Sequence, residues 1–221
     1  MPRRGFDQHL AKLQDDILVL ASMVEKAIDR SVEGLKNRDL DLAKQVIADD
    51  VKINHKRFQI EEECILLIAT QQPVADDLRL IIAALHMITD MERIGDHARG
   101  IGDITVMIGD EPPLKPLVDI PRMARKTTEM MRHALDAFIK RDAELARQVC
   151  ARDNEVDDLY DQVFRELLSF MIEDPRTITR ATRLLWVAHN LERSADRVTN
   201  IAERVVFILG GRMEEIEGSY Y

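Results

Sequence analysis

The chain has 221 residues, 46% of them hydrophobic, enough for one large domain or two smaller ones with buried cores. Aromatics at 5%, nine glycines and seven prolines suit helices and argue against an all-β fold. The net charge of −9 argues against nucleic acid and anionic lipid as main partners, because both select a basic face.

The first residues, Met-Pro-Arg-Arg-Gly-Phe-Asp-Gln-His, run straight into acidic amphipathic sequence without an apolar core segment, so no signal peptide is expected. Leu10, Leu13, Ile17, Leu20, Val24 and Ala27 then recur at helical spacing and predict a first helix. After Lys36-Asn37-Arg38-Asp39, the series Val46, Ile53, Ile60 and Leu67 predicts a second, closed at Gln71-Gln72-Pro73. Leu80, Ala84, Met87, Met91, Ile94, Ala98, Ile101, Thr105 and Ile108 predict a third. Gly109 to Pro116 is a linker.

The pattern restarts beyond it. Ile120 to Phe138 forms a fourth helix, with Pro121 tolerable in its first turn. Val149, Val156, Val163 and Phe170 predict one long fifth helix ending at Asp174-Pro175. Leu184 to Leu209 forms the sixth, stopped by Gly210-Gly211. Long helices on short turns describe antiparallel bundles. The longest apolar run, Cys64 to Ala69, is too short to span a bilayer. Cys64 and Cys150 lie in apolar helical stripes and read as core thiols, so a soluble, cytoplasmic protein is expected.

The two halves are copies. Lys36 through Val46 matches Ile139 through Val149, Pro73 matches Pro175, and Asp90 through Asp96 matches Asn190 through Asp196. The expected fold is all-α: two tandem three-helix bundles, residues 1–109 and 117–212, related by internal duplication.

Inside the repeat, acids occupy positions where a core belongs. Asp50, Asp153 and Asp157 stand in registers otherwise filled by apolar residues, and Glu92, Asp96, Glu192 and Asp196 continue apolar lines of the third and sixth helices. In an antiparallel hairpin the numbers of residues at one level add to a constant. Asp50 with Asp96 and Asn54 with Glu92 share one such constant; Asp153 with Asp196 and Asp157 with Glu192 share another. Each copy therefore brings four polar groups to one level, roughly 34 Å from its turn at 1.5 Å per residue.

Converging, half-desolvated carboxylates repel, and a multivalent cation is the simplest compensation. An all-oxygen set suits Mg²⁺, Mn²⁺, Ca²⁺ or iron. The alternative is that the acids turn outward and pair with Arg57, Arg93, Arg99 or Arg193. His189 lies three residues before Glu192, within reach of the second site, but the first half has Thr89 there, so an ordinary surface or core role is expected; Trp186 is expected to fill a bundle groove. No nucleotide-binding, nucleophile-elbow or zincin motif occurs.

Glu92-Arg93-Ile94-Gly95-Asp96-His97 and Asn190-Leu191-Glu192-Arg193-Ser194-Ala195-Asp196, with Asp174-Pro175-Arg176-Thr177-Ile178, resemble the paired E-x-x-x-D signatures and second turn of the PhoU family. The resemblance implies metal clusters of iron or other divalent ions at Asp50, Glu92, Asp96, Asp153, Asp157, Glu192 and Asp196. It also implies contact with the ATPase of a phosphate ABC transporter and with a phosphate-sensing histidine kinase, and repression of the phosphate-starvation response. A homodimer is expected, held at the membrane only through partners and without catalysis of its own. Two rivals are a carboxylate-bridged di-metal enzyme and a metal-free helical adaptor. Such di-metal sites carry Glu-x-x-His pairs, whereas the residues three past Glu92 and Glu192 are Gly95 and Ala195.

Overall fold

A computed structural model describes residues 2–212 and 216, with side chains from residue 5 onward. Among the described residues every regular element is helical: α1 (Pro2–Asn37), α2 (Leu40–Gln71), α3 (Asp76–Ile108), α4 (Asp119–Lys140), α5 (Ala143–Ala151), α6 (Asn154–Glu173), a 3-10 turn (Pro175–Thr177) and α7 (Ile178–Gly210). None of these helices is long and apolar enough to cross a membrane.

The repeat is visible first in its turns. Arg38 and Arg141 both adopt left-handed backbone, φ 56° and 52°, which reverses the chain after α1 and after α4. The aspartates that follow cap the next helices. Asp39 accepts from the Leu42 N–H at 2.9 Å, and Asp142 accepts from those of Glu144 and Leu145 at 3.0 Å each.

The expected fifth helix is two. Its hydrogen bonds shorten to i→i−3 at Arg152 (to Val149) and Asp153 (to Cys150), and again at Glu155 and Val156, while the backbone stays right-handed. The apolar period passes through this tightening unchanged, so it left no mark on the hydrophobic pattern. The first helix likewise begins at Pro2, well ahead of the apolar series that announced it.

α1, α2 and α3 pack as one bundle, and α4, α5/α6 and α7 as the other. Leu13, Ile17, Leu20, Val24 and Ile28 of α1 are fully buried, as are Met123 and Met131 of α4, and Cys64 and Cys150 join the same core. That core is continuous across both bundles, because α3 and α7 pack on each other more extensively than any other two elements.

The seam is antiparallel and carries crossed polar locks. Asp90 on α3 accepts from Arg197 Nη1 at 3.3 Å and Asn200 Nδ2 at 3.4 Å. At its repeat-related counterpart, Asn190 on α7 accepts at Oδ1 from the His97 ring, 3.2 Å away. Gly100 stands where the other half has Asn200, and a Cβ there would lie 3.1 Å from Asn190 Oδ1. The pseudo-twofold axis therefore crosses the seam beside Arg93 and Arg193.

Candidate functional site

That crossing puts both acidic clusters at mid-molecule. In the second half, α6 supplies Asp157, the tightened turn before it supplies Asp153, and α7 supplies Glu192 and Asp196. Asp153 is only 1% exposed. Burial first, and then the charges of Asp157, Asp196 and Glu192, push its pKa up to about 7. Glu192 also rises to about 7, through burial and then Asp196 and Asp157. Asp157 is raised by burial and by Asp196. Asp196 is raised by burial against the opposing pull of Arg193, Arg197 and His189. Asp153 Oδ1 and Glu192 Oε2 are buried without a hydrogen-bond partner. His189 stands beside this cluster: its Nδ1 lies 3.3 Å from Glu192 Oε2, and its ring centroid is 6.1 Å from that of Tyr160.

The first half is a weaker version. Asp50 on α2 is 6% exposed. Its Oδ2 accepts from Asn54 Nδ2 at 3.2 Å and faces Arg99 at 3.7 Å. Burial and Asp96 raise the pKa values of Asp50 and Glu92. Arg93 pairs with Asp96 at 3.1 Å and reaches Glu92 at 3.6 Å. Arginine pairing thus holds in part here, through Arg93 and Arg99, whereas Arg57 turns to Glu61 at 2.9 Å. Asp50 Oδ1 and Asn54 Oδ1 remain buried and unpartnered.

Cross-helix charges act in both halves: Asp96 raises the pKa of Asp50, Asp196 that of Asp153, and Asp157 that of Glu192. The donor set is all oxygen, with orphaned acceptors in each cluster, and such a set fits a hard cation. Among the described residues no three His, Cys, Asp or Glu side chains are drawn together closely enough to enclose an ion as they stand.

Trp186 does not fill a groove. It is 50% exposed on α7, its backbone carbonyl accepting from Asn190 Nδ2 at 2.8 Å. Sequence reasoning also passed over a second duplicated constellation. The shift that carries Asp39 onto Asp142 carries Lys12, Asp16, Gln59 and Glu63 onto Lys115, Asp119, Gln162 and Glu166. Lys12 pairs with Glu63 at 2.8 Å and with Asp16 at 3.7 Å. Lys115 pairs with Glu166, and Gln162 donates to the buried Asp119 at 3.4 Å. This network ties the first helix of each bundle to the second.

A duplicated helical bundle with matched Glu-x-x-x-Asp clusters on its two seam helices defines a class, and comparison with known proteins identifies it. The family model "PhoU domain" matches twice, at residues 17–105 and 120–205. The chain belongs to the PhoU family. It is 39% identical to the phosphate-specific transport system accessory protein PhoU homolog of Aquifex aeolicus over 186 residues, 84% of each chain. It is 36% identical to the Clostridium acetobutylicum homolog over 217 residues, 98% of this chain and 99% of that one. The crystal structure of PhoU from Pseudomonas aeruginosa superposes with a TM-score of 0.88 at 36% identity, covering 94% of this chain and all of the other. That of the phosphate transport system regulatory protein PhoU from Streptococcus pneumoniae gives 0.88 at 28%, covering 95% and 99%.

Proposed function

We propose that this protein is a regulator of phosphate transport. It represses uptake and the phosphate-starvation response by binding the ATPase of the phosphate ABC transporter and the sensor histidine kinase. The observation that carries the reading is the pair of carboxylate clusters beside the pseudo-twofold axis, in a chain whose relatives are accessory proteins of phosphate-specific transport. A rigid duplicated body offers two related faces, suited to two partners or to a dimeric one. It acts by contact, as a homodimer in the cytoplasm, and reaches the membrane only through those partners.

Asp153, Asp157, Glu192 and Asp196 would hold a hard cation such as Mg²⁺, Mn²⁺ or iron. Asp50, Glu92 and Asp96 would hold one less tightly, because neutral Asn54 supplies less charge and Arg93 and Arg99 already compensate the acids. Such an ion would neutralise the clustered charge. Deleting the gene should switch on phosphate-starvation genes while phosphate is plentiful; normal repression in the deletion strain, with no second family member present, overturns the reading. Asp196→Asn should purify with less metal and melt earlier in metal-replete buffer. Unchanged metal content would remove the ion from the proposal.

A further inference from the structure

α2 carries two heptad series. The inward one, Val46, Ile53, Ile60 and Leu67, is buried where α1 and α3 pack on this helix. A second runs along the opposite face. Ala48, Val51, His55, Phe58, Glu62, Ile65 and Ala69 alternate three and four apart, and all are exposed. Val51 is 53% exposed, Phe58 55% and Ile65 57%. The Phe58 ring carries the Arg57 guanidinium on it, 4.9 Å from the ring centroid. A solvated helix face has no use for large apolar residues at heptad spacing; such stripes mark contact surfaces.

The duplicated half lacks the stripe. At the corresponding positions of α6, Val51 becomes Asn154, His55 becomes Asp158, Phe58 becomes Asp161 and Glu62 becomes Arg165. Asp161 and Arg165 pair with each other there, both open to solvent. The bundle therefore folds without an apolar outer face on this helix, and the stripe of the first half serves something other than folding.

Charge singles out the occupant. His55, Lys56 and Arg57 precede Phe58, and Glu61, Glu62 and Glu63 follow it. Lys56 pairs with Asp16, Glu63 with Lys12, and Arg57 with Glu61, all inside one bundle. His55 and Glu62 carry the same asymmetry onto the outward stripe. We propose that α2 pairs antiparallel with α2 of a second copy, about a twofold axis at Phe58. In that register Phe58 meets Phe58, Val51 meets Ile65, His55 meets Glu62 and Ala48 meets Ala69 of the second copy. The surface is thus self-complementary, as a twofold interface must be. A parallel pair sets Glu62 against Glu62 and is opposed by like charge. The second bundle cannot repeat the contact, since Asp161 would face itself, so the assembly closes at two. This rests on the homodimer of the proposed function and gives it a face.

Sedimentation equilibrium of the full chain tests this, run in chelator so that cation binding by the acids plays no part. One helix pair about 33 Å long stands at the low end of interface sizes, so a reversible dimer with Kd on the order of 10 μM is expected. Phe58→Asp imports the residue of the duplicate and should weaken dimerisation at least about tenfold, with unchanged helical circular dichroism. His55→Glu and Glu62→Lys should each weaken it about fivefold, and the double variant should return to within about twofold of wild type. That rescue needs the antiparallel register, because no other pairing sets residue 55 against residue 62. A wild-type chain monomeric up to about 500 μM, a dimer undiminished in folded Phe58→Asp, or single variants that weaken without rescue overturns the proposal. If Phe58→Asp does not fold, the charge variants at exposed positions decide the matter. A dimer through another face overturns this surface and leaves the regulatory reading standing, which the deletion strain tests separately.

Discussion

Asp153 concentrates the chemistry of the second cluster in one residue. It is nearly inaccessible, carries an unpartnered oxygen, and faces three other carboxyl groups. Its folded pKa of about 7 lies above the ordinary value of 3.8. The unfolded chain therefore releases this proton first as pH rises. Its stabilising contribution is complete below the unfolded pKa and is lost by the time pH passes the folded one. Glu192 adds a change of the same sign over the same range. Asp16 and Asp49 have pKa values lowered by their lysine partners and by Arg30, against the cost of burial, so their contribution is lost only under more acidic conditions. In chelator, the melting temperature should fall between about pH 4 and pH 7. Asp153→Asn should flatten that slope and raise Tm at pH 8 by about 5 °C, from a few kcal/mol of relieved repulsion and desolvation. Excess Mg²⁺ should flatten the wild-type slope too. Thermal melts across the pH range check all three; a wild-type Tm that rises from pH 5 to pH 8 in chelator would contradict the account.

Among the elements, the turns carry the repeat most faithfully. Arg-Asp after α1 and Arg-Asp after α4 do the same work: a left-handed arginine, then an aspartate cap. Asp39→Ala and Asp142→Ala should each cost about 1 kcal/mol. Asp142 should cost the more, since it holds two N–H groups where Asp39 holds one. Denaturant titration of the single variants reads this directly; equal midpoints with wild type would mean that solvent caps these helices as well. Most helices were legible because heptad and 3-4 spacing survive any packing arrangement. The division of the fifth was not, because tightening at Arg152 and Asp153 keeps every apolar residue on its face. The register of the acids was legible for the same geometric reason, since equal levels in a hairpin follow from the turn alone. The degree of charge compensation was not. It depends on which arginine rotamer meets which carboxylate, and Arg93 and Arg99 turn in where Arg57 turns to its own helix neighbour. The exposure of Trp186 was hidden likewise, since its place on α7 does not say which face the seam covers.

At the scale of the whole molecule, duplication did not yield two independent bodies. The helices break between α3 and α4 at residues 109–118, yet α3 and α7 bury one face against each other and join both bundles into a single core. The polar locks of that seam have few alternatives. Asp90 is 9% exposed and accepts from two side chains of the other half, and burial still raises its pKa. Asp90→Ala should cost about 1–3 kcal/mol, because Arg197 and Asn200 lose a shared acceptor in a half-buried seam. The larger consequence concerns cooperativity. A bundle freed of its partner would expose the face of α3 that α7 covers, and desolvating that face is part of what holds each half. Unfolding one half should therefore unfold the other, giving a single calorimetric transition with calorimetric and van't Hoff enthalpies in agreement. Residues 1–109 expressed alone should melt well below the full chain, or associate through the bared face. Two resolved transitions in the intact protein, or a fragment as stable as the whole, would show the seam to be a contact between finished domains. In the cooperative case a partner or ion engaged at one cluster shifts the stability of the other, which is the physical requirement for passing a signal across the pseudo-twofold axis.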